Sequence, residues 1–333
     1  MKRLLASLLL VAAATLPAHA EVPALRVGVQ FGLGYLPFYV IRDTGLMDAA
    51  MKAAGQAPIP IEIHNFTGAP DIADGLLSGS LDIGSGGITA MMVAWDKTRN
   101  AGAKSMRGIA ALSAMPYELL TDQPNIKSLA DFTAKDRIGL PAVKVSVPAV
   151  MLEIAAERLF GEGQQDRLNS MTVGLAQPEG ATALLTHNGI VDGYAFAAPF
   201  IQQLQDKPDI HKVWSSNDVF GTPTTALSAW TTTAFRTDNP KTYAALLAAL
   251  HEADRFIAAH PDQAAAVYLN AEHSKLAPAL IQQCLAEPQM AYSTAPSNSG
   301  GLSDFLAKVG MIKQKPASWK DLFFPEITSE QGS

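Results

Sequence analysis

The sequence predicts an α/β protein of two lobes, each built on a mixed or mostly parallel sheet with helices on its faces. Short apolar or alternating stretches, typical of strands, take turns with stretches of helical period along most of the chain. This alternation occurs twice, over about residues 24–110 and again over about residues 116–216. Several strands end in a small or glycine-rich turn, and proline opens the helix that follows, as expected for βαβ units.

In the first half, Gly45 divides the first helical stretch and Gly79 ends the second. Strands are predicted at residues 24–32, 60–66, 81–85 and 106–114, with helical stretches between them at residues 35–55, 69–80 and 87–98.

In the second half, Ser128 is a plausible helix cap, with Asp131 three residues further on. Strands are predicted at residues 117–122, 137–142, 169–176, 191–197 and 211–216, with helices at residues 128–136, 146–161, 178–189 and 199–207.

The C-terminal third changes character. Residues 223–235 form a long β-branched run that predicts a strand. The segments that follow are helical, with a break at His260–Pro261. They cover residues 241–270, 277–286 and 301–310.

The simplest packing returns this third to the first lobe. The first lobe is then predicted to contain residues 21–112 and 222–333, and the second lobe residues 113–221. Crossover strands are expected near residues 111–121 and 221–230. Two crossovers make a two-strand hinge, which permits the lobes to close around a ligand.

The first twenty residues have the pattern of a secretory signal peptide. Lys2 and Arg3 form a basic start, residues 4–16 are apolar, and Ala18-His19-Ala20 has the small-x-small form of a cleavage site. The apolar run is short for a membrane span, which needs about 20 residues, so an N-terminal anchor is the weaker alternative. Cleavage after Ala20 predicts a soluble chain exported to a bacterial periplasm.

The composition narrows the classes of partner. Removal of Lys2 and Arg3 from the 25 basic residues leaves 23 against 31 acidic ones, a net charge of −8, and no basic block is present. This pattern disfavours nucleic acid as a partner. Cys284 is the only cysteine, which excludes an intramolecular disulfide, and its helical context favours a packing role over a reactive thiol. No cofactor and no metal site are predicted.

The ligand is expected at the carboxyl edges of the strands. There each turn presents backbone N–H groups and the positive end of a helix dipole. Ordinary helix initiation explains any single proline in these turns, but the whole set indicates a cleft that suits an anionic or strongly polar ligand. The prolines are Pro37, Pro70, Pro148, Pro178 and Pro199.

The stretch SLDIGSGGITAMMVAWD, residues 80–96, contains the most suggestive turn, Ser85–Gly87. Its spacing does not fit a Walker loop, and Ile83 breaks the G-x-S-x-G pattern of a nucleophile elbow. The glycines after the first predicted strand also lack the G-x-G-x-x-G spacing. These exclusions favour a binding protein over an enzyme.

Five stretches occur in an order that resembles a known family. The chain is similar to periplasmic substrate-binding proteins of ABC importers in the nitrate, sulfonate and taurine group, which has relatives that bind thiamine-pyrimidine precursors. The resemblance implies a type II bilobed fold, a monomer, and delivery of a small molecule to a permease of the inner membrane. The stretches are LRVGVQFGLGYLPFYVIRDTGLM, NFTGAPDIADGLLSGSLDIGSGG, SLADFTAKDRIGLPAVKVSV, ALLTHNGIVDGYAFAAPF and NPKTYAALLAALHEADRFI.

The resemblance also implies which turns contact the ligand. Two of its stretches, G-x-LD-I-G and G-I-VD-G, correspond to each other in the two halves. The expected ligand-binding residues are Gln30, Phe31, Gly32, Leu33, Tyr35, Phe66, Thr67, Gly68, Ser85, Gly86, Gly87, Met115, Val143, Lys144, Val145, Ser146, Gln177, Glu179, Phe196, Ala198, Pro199 and Trp230.

The ligand class stays open between alternatives. Lys144 could pair with a sulfonate or carboxylate, or be a solvated surface charge. The aromatic residues in the predicted set could wall the cleft or pack in the cores. Because no histidine cluster accompanies the turns, an organic anion such as an alkyl or aryl sulfonate is favoured over nitrate. A thiamine-pyrimidine precursor or other aromatic heterocycle is the alternative, followed by an enzyme on the same fold and by a sensor subunit.

Overall fold

The structure, a computed structural model, describes residues 21–222 and 224–333, so the predicted signal peptide of residues 1–20 lies outside the described residues. In this part of the chain the strands are β1 (Leu25–Val29), β2 (Ile61–Asn65), β3 (Ile83–Gly87), β4 (Met106–Ala114), β5 (Glu118–Thr121), β6 (Ile138–Leu140), β7 (Thr172–Gly174), β8 (Gly193–Phe196), β9 (His211–Ser215), β10 (Thr225–Thr232) and β11 (Ala291–Tyr292). The α-helices are α1 (Leu36–Asp43), α2 (Leu46–Ala53), α3 (Ala69–Ser78), α4 (Ile88–Thr98), α5 (Val147–Phe160), α6 (Gln177–Thr186), α7 (Phe200–Leu204), α8 (Asn217–Phe220), α9 (Thr233–Asp238), α10 (Pro240–Ala259), α11 (Pro261–Ala271), α12 (Pro278–Ala286) and α13 (Ser299–Lys308).

The strands form two sheets that share one plan. The first sheet has the order β11-β4-β10-β3-β1-β2, and the second has the order β7-β6-β8-β5-β9. In each sheet three neighbouring strands run parallel, namely β2, β1 and β3 or β7, β6 and β8. An antiparallel strand, β10 or β5, then pairs with the third of them. The predicted α/β class with two mixed sheets is therefore confirmed.

The chain passes between the sheets twice. It leaves the first sheet after β4 to enter β5, and it returns from β9 through α8 to β10. We call the first sheet with α1–α4 and α9–α13 the first lobe, and the second sheet with α5–α8 the second lobe. The two-lobed arrangement agrees with the predicted fold, while the boundaries at residues 112/113 and 221/222 remain predictions.

A buried aspartate fastens the strands at the edge of the first sheet that faces away from the other lobe. Asp82, which directly precedes β3, accepts hydrogen bonds from Arg26 N at 2.8 Å and from Arg26 Nε and Nη2 at 2.9 and 2.7 Å. Its own N–H donates to Arg26 O at 2.9 Å, and Thr231 Oγ1 donates to Asp82 O at 2.6 Å. One residue thereby joins the start of β1, the start of β3 and the end of β10.

The second lobe contains the same arrangement of an aspartate that joins three strands, which we call an aspartate clamp. Asp192 directly precedes β8 and accepts from Arg137 N at 2.7 Å, while its own N–H donates to Arg137 O at 2.8 Å. Thr121 Oγ1, at the end of β5, donates to Asp192 O. These aspartates are the ones in the two corresponding stretches of the sequence, so the correspondence reflects a structural duplication.

Local differences from the sequence prediction have local causes. The strand predicted at residues 223–235 ends at Thr232, because the Thr232 hydroxyl accepts from Phe235 N at 3.1 Å and caps α9. The helix predicted at residues 128–136 is only a 3₁₀ turn, although the Ser128–Asp131 capping box is present. Strand β11 was not predicted, since two residues leave no periodic signal.

Apolar packing runs through both lobes. The larger core cluster extends from the first sheet through α4 into α5 of the second lobe, and a smaller cluster lies under α6 and α7. No helix of the described residues is long and apolar enough to cross a membrane.

We expect removal of the two clamp aspartates to lower stability by different amounts. Asp82→Ala should lower the free energy of unfolding by about 2 kcal/mol, because it leaves the Arg26 guanidinium and N–H without their charged acceptor. Asp192→Ala should cost about 1 kcal/mol, since Arg137 directs its guanidinium to Gly189 O instead. Urea unfolding curves measure both.

Asp206→Ala, at an exposed position, is the matched control and should change stability by less than about 0.5 kcal/mol. Equal stability of Asp82→Ala and Asp206→Ala would contradict the assigned role of the clamp.

Candidate ligand cleft between the lobes

A small cavity lies where the carboxyl edges of the two sheets face each other. Its volume is about 20 Å³, which is room for about one water molecule. The lobes are therefore closed on each other. The lining residues are Gln30, Phe31, Tyr35, Ala69, Gly87, Ala90, Met115, Tyr117, Pro141, Ala142, Ser146, Val147, Pro148, Gln177 and Leu227.

Four helices begin at this cavity, namely α3 and α4 from the first lobe and α5 and α6 from the second. Their N-cap residues are Gly68, Gly87, Ser146 and Ala176, and within the described residues none of these caps provides a side-chain acceptor. The Ser146 hydroxyl instead donates to Ala142 O at 2.6 Å. First-turn N–H groups and the positive ends of four dipoles therefore converge on the cleft.

Three polar side chains line the cavity without a partner. Gln30, Tyr35 and Tyr117 are 8%, 3% and 4% exposed. Their amide and hydroxyl groups make no hydrogen bond with any described residue. Because these three side chains line the cavity, their polar groups are available to hydrogen-bond a polar molecule there.

The cavity lining is electrically neutral. Among the described residues that form it, none carries an Asp, Glu, Lys or Arg side chain. Burial raises the pKa of the Tyr35 phenol well above its ordinary value, and the neighbouring Tyr117 adds to the effect. Burial likewise raises the pKa of Tyr117. Both phenols keep their protons near neutral pH and can donate hydrogen bonds.

Direct hydrogen bonds hold the lobes together around the cavity. Gln177 Nε2 of the second lobe donates to Phe31 O of the first at 2.9 Å, while Ala197 N donates to Gln177 Oε1 at 2.8 Å. Leu33 N donates to Ala198 O at 2.9 Å. Gly32 lies at this contact with φ +124°, and a Cβ there would come within 3.3 Å of Ala198 O, so the position requires glycine.

A second set of contacts lies at the other end of the cleft. Thr89 Oγ1 at the start of α4 donates to Val145 O of the second lobe at 2.7 Å. Farther out, Lys308 Nζ of α13 and Glu157 Oε2 of α5 form an ion pair at 2.7 Å. The cleft is thus closed from two sides.

Seven of the predicted ligand-binding residues line the cavity. They are Gln30, Phe31, Tyr35, Gly87, Met115, Ser146 and Gln177. Four others, Gly32, Leu33, Val145 and Ala198, take part in the contacts between the lobes. Gly68 and Gly86 lie where a Cβ would crowd Pro141 O and the Gln30 amide, respectively.

The remaining predicted residues lie outside the cavity lining. Ser85 is fully buried and donates to Gly28 O at 2.8 Å within the first sheet. Phe196 stacks on Tyr194 in the second-lobe core, with ring centroids 4.3 Å apart. Trp230 is fully buried against the glycines of β3.

The other members of the predicted set cap helices or face solvent. Glu179 accepts from Ala176 N at 3.3 Å in the first turn of α6, and Pro199 is the N-cap of α7 rather than a first-turn residue. Phe66 is half-buried. Thr67, Val143 and Lys144 are exposed.

Sequence reasoning missed eight lining residues. Several belong to the first turn of a helix, directly after a loop that the sequence predicted to bind the ligand. The predicted residues were therefore only a few positions away. Tyr117 and Leu227 lie on the two segments that pass between the lobes. The path of the chain brings them to the cleft, and a local sequence pattern does not show that path. The missed residues are Ala69, Ala90, Tyr117, Pro141, Ala142, Val147, Pro148 and Leu227.

The chain matches one protein-family model and resembles several solved structures. The model of the NMT1-like family matches residues 18–270. No curated protein matches the chain. The alkanesulfonate-binding protein SsuA from Xanthomonas axonopodis pv. citri bound to MOPS has a TM-score of 0.69 at 16% identity, covering 89% of this chain and 96% of its own.

Two further solved structures have the same overall fold. The periplasmic aliphatic sulphonate binding protein SsuA from Escherichia coli gives a TM-score of 0.63 at 18% identity, covering 91% of this chain and 99% of its own. The periplasmic nitrate-binding protein NrtA from Synechocystis PCC 6803 gives 0.68 at 13% identity, covering 90% and 84%. At these identities the similarity establishes the fold.

The Gln177 contact predicts how the lobes open. Gln177→Ala removes the hydrogen bond to Phe31 O, which is the one of its two bonds that joins the lobes, and should weaken the closed state by about 1 kcal/mol. Spin labels at Lys52→Cys and Lys207→Cys, exposed positions in the two lobes, would show longer distances between the lobes. Burial raises the pKa of the Cys284 thiol to about 12, so this buried cysteine should not take up label.

Gln263→Ala, on the exposed side of α11, is the control and should leave the distances unchanged. If Gln177→Ala and Gln263→Ala give the same distance distribution, Gln177 does not hold the lobes closed.

Proposed function

The chain belongs to the NMT1-like family, and from this premise we propose that it is the solute-binding receptor of an ABC importer. In this role it captures a small organic molecule between its lobes and delivers it unchanged to a permease of the inner membrane. The observation that carries the proposal is the neutral closed cleft, in which four helix N-termini and three unpartnered polar side chains converge. The structural neighbours named for sulfonate and nitrate binding support it.

We also propose where the protein acts, its oligomeric state and which residues move together. The chain would be exported by its N-terminal signal peptide, cleaved after Ala20, and would act as a monomer in the periplasm. Residues 21–112 with 222–333 would move as one body and residues 113–221 as the other. The interlobe hydrogen bonds at Gln177 and Thr89 support closure as the step that traps the ligand.

We infer that the ligand is an organic anion, with an alkyl or aryl sulfonate as the leading candidate. Helix N-termini bind anions through backbone N–H groups and the dipole, without a cationic side chain. Lys144 is exposed and outside the cavity lining, so the helix ends would supply the positive potential. The neighbour that holds MOPS, itself a sulfonate, supports this class.

An aromatic heterocycle is the second candidate. The Gln30 amide carries a donor and an acceptor, which suits the edge of a pyrimidine-like ring. Phe31, Tyr35 and Tyr117 offer flat apolar surface against which such a ring could stack. This arrangement favours a thiamine-pyrimidine precursor over other uncharged ligands.

Binding without turnover fits the chemistry of the lining. The titratable groups at the cavity are the two phenols, whose raised pKa values make them hydrogen-bond donors rather than bases. Their positions suit recognition, so we propose that the protein is not an enzyme.

A charge test separates the two ligand classes. A thermal-shift screen of sulfonates, carboxylates and pyrimidines first identifies a ligand, because binding to the native state at 100 times Kd stabilises it by about 2.7 kcal/mol. Gln30→Glu then adds a negative charge of the same shape. Two unit charges 5 Å apart at an effective dielectric constant near 20 repel by about 3 kcal/mol, so the affinity for an anion should fall at least ~100-fold at pH 8.

Gln30→Leu is the matched control, because it removes the amide without adding charge and should weaken binding only about tenfold. Equal losses in the two variants, measured by calorimetry, would rule out an anionic ligand. A screen in which no small molecule raises the melting temperature would contradict the receptor role itself.

A further inference from the structure

A second groove lies beside the cleft, between α3 and α4 of the first lobe. Its volume is about 170 Å³, compared with about 20 Å³ in the cleft. Ala73 and Leu77 of α3 and Val93 and Ala94 of α4 form its walls, together with Met106. These side chains are apolar, so the groove offers space that suits hydrocarbon rather than polar groups.

The groove adjoins the cleft. Ala69 in the first turn of α3 and Ala90 in the first turn of α4 line both spaces. Their methyl side chains are the smallest that a non-glycine residue can place between the two spaces. Val145 of the second lobe also lines the groove, and its carbonyl accepts the Thr89 hydroxyl. Closure of the lobes therefore forms the roof of both spaces.

The outer end of the groove is charged. Asp74 and Lys97 line it, and both are exposed to solvent. Leu77 lies eight residues beyond Ala69 on the same helix, which corresponds to about 12 Å along the axis. The groove thus passes from the polar cleft through an apolar interior to a charged rim.

The small volume of the cleft indicates that a ligand would need additional space beside it. The cleft alone has room for about one water molecule, so most of an organic ligand would extend into a neighbouring space, while Gln30, Tyr35 and Tyr117 leave polar groups available in the cleft. A cavity of about 150 Å³ on the hinge side also touches the cleft, at Met115. Its lining mixes the carboxylates of Glu118 and Glu287 with apolar residues such as Ile201, so it suits an apolar group less well than the groove does.

We propose that the groove between α3 and α4 is a binding site for the apolar tail of the ligand whose polar head occupies the cleft. The ligand class is then amphipathic, with a compact polar head and a narrow hydrocarbon chain that passes between Ala69 and Ala90. This inference rests on the proposed receptor function. Burial of the tail adds affinity in proportion to its length, and the head fixes its orientation.

Isothermal titration calorimetry with two homologous series tests the proposal. The probes are straight-chain 1-alkanesulfonates and 1-alkanecarboxylates of two to eight carbons. The association constant should rise about fourfold per added methylene, the fold-change equivalent to about 0.8 kcal/mol per buried CH₂. The rise should stop when the chain reaches Leu77, and the heat-capacity change should become more negative with chain length.

Ala73→Phe is the blocking variant, because it fills the groove and leaves every cleft residue in place. It should bind the two-carbon probe within about twofold of the wild type and lose the dependence on chain length. Ala266→Phe on the exposed side of α11 is the matched control and should keep that dependence. Leu77→Asn, at the far end of the groove, should affect only the longest chains and serves as a second variant if Ala73→Phe folds poorly.

The outcomes separate the inference from the function on which it rests. If short probes bind but affinity does not change with chain length, or if Ala73→Phe and Leu77→Asn retain the wild-type dependence, the groove is not the tail site and the receptor function stands. If no member of either series binds, the groove assignment is overturned. The receptor function then depends on the broader ligand screen.

Discussion

The aspartate clamps at the outer edges of the two sheets are the constraint on which the cleft depends. Asp82 and Asp192 each join two parallel strands where those strands begin, and a threonine of the antiparallel strand completes each clamp. With the beginnings of the strands fixed, their ends and the helices that follow are held at the opposite edge. In both lobes that edge faces the partner lobe, so one repeated interaction positions the turns on both sides of the cleft.

The cleft that results presents dipoles rather than charges to a ligand. Four helix N-termini and three neutral polar side chains surround it, and its described lining carries no Asp, Glu, Lys or Arg side chain. Such an arrangement avoids the large desolvation penalty of a buried cation. It also leaves the polar groups of Gln30, Tyr35 and Tyr117 available for hydrogen bonds at the closed interface.

Much of the fold could be predicted from sequence because periodicity and turn chemistry are local. Strands such as β4 and helices such as α5 lie close to their predicted limits, and the Ser128–Asp131 capping box is present. The site was harder, because the direction of a side chain along a strand is set by pairing. Ser85 lies in the most suggestive turn, yet β3 turns its hydroxyl toward Gly28 O. Tyr117 lies on the segment that passes from the first lobe to the second, so no local sequence pattern predicts its place in the cleft.

We propose that a single small organic molecule is held between the closed lobes. The most direct test is native mass spectrometry of residues 21–333, mixed with a small-molecule extract of the source cells. We expect one molecule bound per chain, released on unfolding and identifiable by fragmentation. We also expect that Tyr35→Phe combined with Gln30→Leu binds this molecule far more weakly. A bare protein mass in every extract, or equal retention by the double variant, would contradict the claim.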